Sequence, residues 1–122
     1  MTGGAHPYNS TPACLNGDIM NRQMRGEWGF QGSVVSDCDA SSDAHFAHHW
    51  GPVVGDGGNA SAAETVVAGL KAGCDMDCGS FYTDYGPEAA AQGLLSNATI
   101  DLALERIFTC LLYTSPSPRD RG

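Results

Sequence analysis

Basic side chains are scarce in this sequence. Lys71 is the single lysine, and Lys plus Arg total 6 against 14 Asp plus Glu, a formal net charge of −8. That balance argues against a phosphate-binding surface and therefore against nucleic acid as a partner. Solubility accounts for most of the acids. Also missing is any apolar run long enough to cross a bilayer. The opening Met1-Thr2-Gly3-Gly4 lacks the basic start and apolar stretch of a signal peptide. The chain opens the way ordinary domain sequence reads in its middle, and truncation is the expectation.

Disorder is excluded as well. Charged residues make up 16% and hydrophobic ones 42%, more apolar than a disordered chain. With 122 residues there is room for one small domain or a piece of a larger one, with a thin margin for a core. Five cysteines are present, Cys14, Cys38, Cys74, Cys78 and Cys110, and an odd count leaves at least one unpaired within the chain. Cys74 and Cys78 have three residues between them, not the two of a zinc or redox pair, and nothing nearby completes a metal site. They read as buried thiols or as one oxidised pair.

The first clear period lies in 16–25, where Ile19, Met20, Gln23 and Met24 give a helical stripe, Asp18 sits in the first turn and Gly26 is a stop signal. Gly32 to Ser36, with Val34 and Val35, reads as a buried strand of a parallel sheet. Residues 37–59 read as loop. Ser61 and Glu64 have capping-box spacing, Val66, Val67 and Leu70 form the stripe that follows, and Gly73 closes the helix. Cys74 to Asp77 is a second short strand. Pro87 is placed as the first residue of a helix through Ala91, and Thr99 as the cap of a last helix with Ile100, Ala103, Leu104 and Ile107 on one side. From Leu111 two prolines and several polar residues break the pattern, so 110–122 reads as a non-native or disordered tail.

Strands alternating with helices predict an α/β fold with a parallel sheet. Two strands make no stable sheet, so a remainder outside this chain is the physical expectation. A partly exposed apolar face, and poor folding in isolation, follow from that.

The strongest chemical signal is Val34-Val35-Ser36-Asp37-Cys38-Asp39-Ala40. An acid directly after a buried strand stands at the carboxyl end of a parallel sheet, the rim that carries the active site in α/β barrels. The plainer alternative is an Asp that caps the next helix or satisfies loop amides.

Several stretches together resemble glycoside hydrolase family 3. They are Arg25-Gly26-Glu27-Trp28-Gly29-Phe30 with Gly32, then Val34 to Ala40, then Ala72-Gly73-Cys74-Asp75-Met76-Asp77-Cys78-Gly79 with Phe81-Tyr82. Ala91-Gln92-Gly93 and Ile100 to Arg106 follow in family order. The resemblance covers roughly residues 8 to 109. Ser36-Asp37-Cys38 and Asp77-Cys78-Gly79 look like its β-xylosidase branch. The resemblance implies that residues 1–109 are part of the N-terminal (β/α)8 barrel domain, holding the last two strands and their helices. It implies Asp37 as the nucleophile of a retaining glycosidase, with the acid/base carboxyl outside this chain. Such a nucleophile must stay ionised, so hydrogen bonds or positive charge are expected near it. Tyr8-Asn9 resembles the family's Tyr-Asn element, which implies Tyr8 as a substrate-binding residue, although Asn9-Ser10 also aligns with a later Asn-Gly. The implied substrate is a small oligosaccharide or aryl glycoside of xylose, arabinose or glucose. The implied partners are the enzyme's remaining domains, the implied location is extracellular, and no cofactor or metal is implied.

Other signals have plain readings. His45, His48 and His49 read as a solvated loop. Asp75 and Asp77 read as strand-end hydrogen-bond acceptors instead of cation ligands. Glu27, Glu64, Glu88 and Glu105 read as solvated helix faces. Asn9, Asn59 and Asn97 head acceptor sequons.

Two rival readings remain. Asp37-x-Asp39-x-Ser41 with Val54 to Asn59 mimics a magnesium-dependent haloacid dehalogenase-like phosphatase. The motifs stand only about 15 residues apart, too close for the crossovers between them, and Lys71 follows both. The other rival is a non-catalytic fragment.

Overall fold

The computed structural model describes residues 7–8, 11–50 and 60–114. β1 (Pro7–Tyr8) pairs antiparallel with β2 (Thr11–Pro12), and a 3-10 turn (Ala13–Leu15) follows. Next comes a π-helix, Asp18–Glu27, then α1 (Ala40–Phe46), α2 (Ala62–Ala72), α3 (Phe81–Ala91) and α4 (Asn97–Thr114).

The first helix departs from expectation in kind and extent. It starts at Asp18, where the Asn16 side-chain oxygen accepts the N–H groups of Asp18 (3.1 Å) and Ile19 (3.2 Å). It passes through Gly26 to Glu27 with wide π turns. Long-range bonds hold that geometry against local propensity. The Asn21 amide donates to the Lys71 carbonyl (2.8 Å), and the Arg25 guanidinium donates to the carbonyls of Gly32 (2.7 Å) and Gly73 (3.0 Å).

The two predicted strands run parallel but meet at a single bridge, Val35 to Met76. The Val34 carbonyl accepts from Asp75 N–H (2.9 Å) and Met76 N–H (3.1 Å), and Ser36 N–H donates to the Met76 carbonyl (2.9 Å). Val34 is half-buried and Val35 is 56% exposed, so the expected buried strand is here an edge. The reason is that this segment has one extended neighbour among the described residues.

Residues 37–59 are not all loop, because α1 lies within them. Its seven residues carry no helical stripe; Ala40 and Ala44, both fully buried, fix it by packing against the core. The α2 reading holds in detail. Ser61 Oγ accepts Glu64 N–H (3.2 Å), Glu64 Oε2 accepts Ser61 N–H (2.7 Å), and Gly73 ends the helix at φ 103°.

Helix α3 begins six residues before Pro87, which lies inside it. The Asp77 carboxylate accepts Phe81 N–H (3.1 Å) and so starts the helix early. Thr83 and Pro87 are exposed, so water can satisfy the carbonyl that proline cannot. At α4 it is Ser96 that caps, accepting Thr99 N–H (3.3 Å), not Thr99 itself. The helix continues through Thr114, past the break read at Leu111, and residues 115–122 lie outside the described ones.

Helix α2 is central, touching α1, α3, α4, the 3-10 turn and the π-helix. Cys14, Leu15, Met20, Ala40, Ala44, Ala72 and Cys74 form the main core, and Ala63, Val67 and Ala89 a second one. Trp28, Phe46, Phe108 and Leu112 are more than half exposed.

Candidate active site

Because the two segments run parallel, their carboxyl ends meet. Asp37 and Cys38 lie beyond Val35, and Asp77 and Cys78 beyond Met76. Cys38 and Cys78 are joined by a disulfide, and Asp39 N–H donates to the Cys78 carbonyl (2.7 Å). This pairing answers the question left open at Cys74 and Cys78. They are not bonded to each other, and Cys74 is a buried thiol.

Asp37 is exposed, and its Oδ1 accepts the N–H of Cys38 (2.8 Å). It lines a cleft of about 210 Å³ together with Cys14, Met20, Val34 and Cys74. Larger clefts of about 350 and 310 Å³ lie against α4, lined by Arg106 and Leu102, away from Asp37. The Tyr8 backbone pairs opposite Thr11, while its side chain lies outside the described part of the structure. Asn9, Asn59 and the 54–59 loop also lie outside the described residues.

Asp77 does not point into open solvent. Its Oδ1 lies 3.2 Å from the Ser36 hydroxyl, and its Oδ2 takes the Phe81 N–H. Gly79 makes this crowding possible. Its φ is 149°, and a Cβ there would sit 2.9 Å from Asp39 Oδ1 and 3.3 Å from Asp77 Oδ2. Asp39 itself takes the left-handed conformation (φ 60°) as it turns the chain into α1.

Behind the rim, Asp75 is buried between two arginines. Its Oδ2 accepts from Arg25 (2.8 Å) and Val34 N–H (3.0 Å), and its Oδ1 from Arg106 (3.0 Å). Asp75 and Asp77 are thus strand-end acceptors, as the sequence suggested. Burial weakens the charged form of Arg25, and the charge of Asp75 works against that loss.

The histidines divide. His48 and His49 are exposed, whereas His45 belongs to α1, contacts the Phe46 and Phe81 rings, and has Nδ1 3.3 Å from Thr65 Oγ1. Burial lowers its pKa, with His49 adding to the effect. Glu27 pairs with Arg22, Glu64 closes the capping box and Glu88 accepts from Gln92 (2.8 Å).

Sequence reasoning missed the Ser36–Asp77 contact and the disulfide. The signal was there. Both extended segments end in the same dipeptide, Asp37-Cys38 and Asp77-Cys78, and parallel strands put such repeats side by side.

A parallel pair with a helix after each segment, and acidic side chains gathered where both segments end, defines an α/β unit. The chain belongs to glycosyl hydrolase family 3; residues 1–110 match that family's N-terminal domain.

An exo-1,4-β-xylosidase of Emericella nidulans is 38% identical over 107 residues, which cover 85% of this chain and 13% of that protein. A probable β-D-xylosidase of Arabidopsis thaliana is 36% identical, over 85% of this chain and 12% of its own length. Among solved structures, a β-glucosidase from Erythrobacter marinus is 32% identical with a TM-score of 0.64, covering 87% of this chain and 14% of that one. An exo-β-xylosidase in complex with a xylobiose aziridine probe superposes with a TM-score of 0.71 at 24% identity, over 91% of this chain and 14% of that one, a likeness of fold. The chain therefore spans 12–13% of the length of these two curated relatives.

Proposed function

We propose that this chain is the nucleophile-bearing segment of a retaining β-glycosidase of the β-xylosidase type, with Asp37 as the nucleophile. One observation carries the reading: an exposed carboxylate at the carboxyl end of a parallel pair, opening onto a cleft. That is the rim where α/β barrels hold their chemistry. The two extended segments and their helices are then the last two strands of a (β/α)8 barrel.

In the first step a carboxylate oxygen of Asp37 bonds to the anomeric carbon, and the glycosidic bond breaks. The leaving oxygen takes a proton from a second carboxyl group about 5–5.5 Å from the nucleophile. That group belongs to a part of the enzyme outside this chain. Water, deprotonated by the same group, then hydrolyses the glycosyl ester and frees Asp37. The Cys38 N–H donates to Asp37 Oδ1 (2.8 Å) and so holds the carboxylate in place. No cofactor enters this chemistry.

The xylosidase names of the relatives, with Ser36-Asp37-Cys38 and Asp77-Cys78-Gly79, support a small xylo-oligosaccharide or aryl xyloside as substrate. The disulfide supports an oxidising, extracellular setting. Alone, the 122-residue chain lacks the acid/base partner and hydrolyses nothing. Family membership displaces the phosphatase alternative.

The test is covalent trapping. The full-length protein carrying this segment is incubated with an activated 2-deoxy-2-fluoro-xyloside, digested, and its sugar-bearing peptide sequenced by mass spectrometry. The expected label is on Asp37, and a label on any other residue overturns the assignment.

A further inference from the structure

The Asp37 carboxylate is aimed by its own backbone. Its Oδ1 takes the N–H of Cys38, which belongs to the same peptide unit as the Asp37 carbonyl. Whatever fixes the plane of that peptide therefore fixes where the carboxylate points.

The carbonyl end of the peptide is gripped. The Ser36 hydroxyl lies 2.9 Å from the Asp37 carbonyl oxygen, and Ala40 N–H donates to the same oxygen (3.1 Å). Ser36 is 7% exposed, and its hydroxyl also accepts the Cys78 N–H (3.0 Å). That leaves the hydroxyl proton to be shared between the Asp37 carbonyl and Asp77 Oδ1, 3.2 Å away. Asp77 is anchored in turn, because its Oδ2 holds the Phe81 N–H at the start of α3. A continuous chain of hydrogen bonds thus runs from the first turn of α3 to the peptide that carries the Asp37 carboxylate.

We propose that Asp77 is a positioning residue for Asp37, acting through the Ser36 hydroxyl. This rests on Asp37 being the nucleophile. With an amide at 77 whose oxygen keeps the Phe81 N–H, the NH2 group faces the Ser36 oxygen as a donor in place of the carboxylate acceptor; the hydroxyl is pushed from its seat, the 37–38 peptide tilts, and the carboxylate leaves its line of attack. A misplacement of about 1 Å at a reacting atom costs on the order of 100-fold in rate.

The experiment is kinetic trapping of the full-length protein with the same 2-deoxy-2-fluoro-xyloside, comparing Asp77→Asn, Ser36→Ala and Ser36→Thr. The asparagine oxygen still accepts the Phe81 N–H, so the α3 start is preserved. The expected result for Asp77→Asn and Ser36→Ala is a trapping rate constant about 10- to 100-fold lower. The reagent's dissociation constant and the thermal midpoint stay close to those of the parent, and the label stays on Asp37. Ser36→Thr, which keeps a hydroxyl, recovers most of the rate.

Parent-like trapping in both Asp77→Asn and Ser36→Ala overturns the proposal, as does a loss confined to the dissociation constant or the midpoint. Should Asp77→Asn fail to fold, Ser36→Ala alone decides by the same criteria. A label away from Asp37 in the unsubstituted protein removes the nucleophile reading instead, so the two failures are told apart.

Discussion

Arg106 reaches back from α4 to place its guanidinium 3.0 Å from Asp75, a carboxylate with no exposed side-chain surface. Arg25 holds the same carboxylate from the π-helix at 2.8 Å. One anion therefore fastens two helices to the foot of the second extended segment. Asp75→Ala leaves two guanidinium groups without their counter-charge, a loss on the order of 3–5 kcal/mol for a broken buried pair. The measurable outcome is a strongly lowered thermal midpoint or insoluble protein. Arg22→Ala, which removes only exposed pairs with Asp18 and Glu27, leaves the midpoint close to the parent's.

Asp37→Gly in the full-length protein removes the attacking group while leaving the rim exposed and open. Hydrolysis of an aryl xyloside should fall about 10⁴-fold or more, the scale seen when a nucleophile is deleted. Added azide, a small external nucleophile, should restore part of the turnover. A variant retaining a tenth of parental turnover contradicts the role assigned to Asp37.

The buried thiols give a pH prediction. Burial pushes Cys14 up to about 11 and Cys74 up to about 12, against an ordinary value of 9.0. The folded chain then keeps these protons at pH values where the unfolded chain has lost them. Their contribution to stability is complete below pH 9 and is lost as pH rises through 9 to 12. Titrating the thermal midpoint upward from pH 8 should show that fall, and Cys74→Ala should flatten part of it. In native protein at pH 8, iodoacetamide should modify the half-buried Cys110 and spare Cys14 and Cys74.

Gly79→Ala tests the crowding at the rim. A methyl group would meet Asp39 Oδ1 and Asp77 Oδ2 at a backbone angle that side chains rarely adopt. The expected cost is more than about 1 kcal/mol of stability. Activity should drop further than that loss accounts for, because the displaced groups flank Asp37. Parallel measurements of thermal midpoint and of kcat separate the two effects.

What the sequence made legible was whatever rests on local chemistry. The Ser61–Glu64 capping box, the Gly73 stop and an acid following a β-branched run are readable because neighbours in sequence determine them. What it hid depends on distant residues. The π-helix is held open by Lys71, Gly73 and Asp75, some fifty positions away, and no stripe in 16–25 encodes that. Helix α1 exists because Ala40 and Ala44 find a core to pack into, and alanine alone signals little. Pro87 misled because Asp77, ten residues earlier, supplies the α3 start that proline was expected to supply. The place of Asp37 at the end of a β-branched run was readable from its neighbours, while Ser36 and Asp77 become partners only through parallel register.

The Cys38–Cys78 bond also has a consequence for the melted protein. It ties residues 40 apart into a covalent ring that carries α1 and α2 within it. Heat or urea can loosen both helices, yet Asp37 and Asp77 stay tethered. By the chain-entropy account a ring of this size removes about 4 kcal/mol of freedom from the denatured chain. Refolding therefore starts with the two acidic ends already neighbours, and a reductant erases that head start without touching either carboxylate.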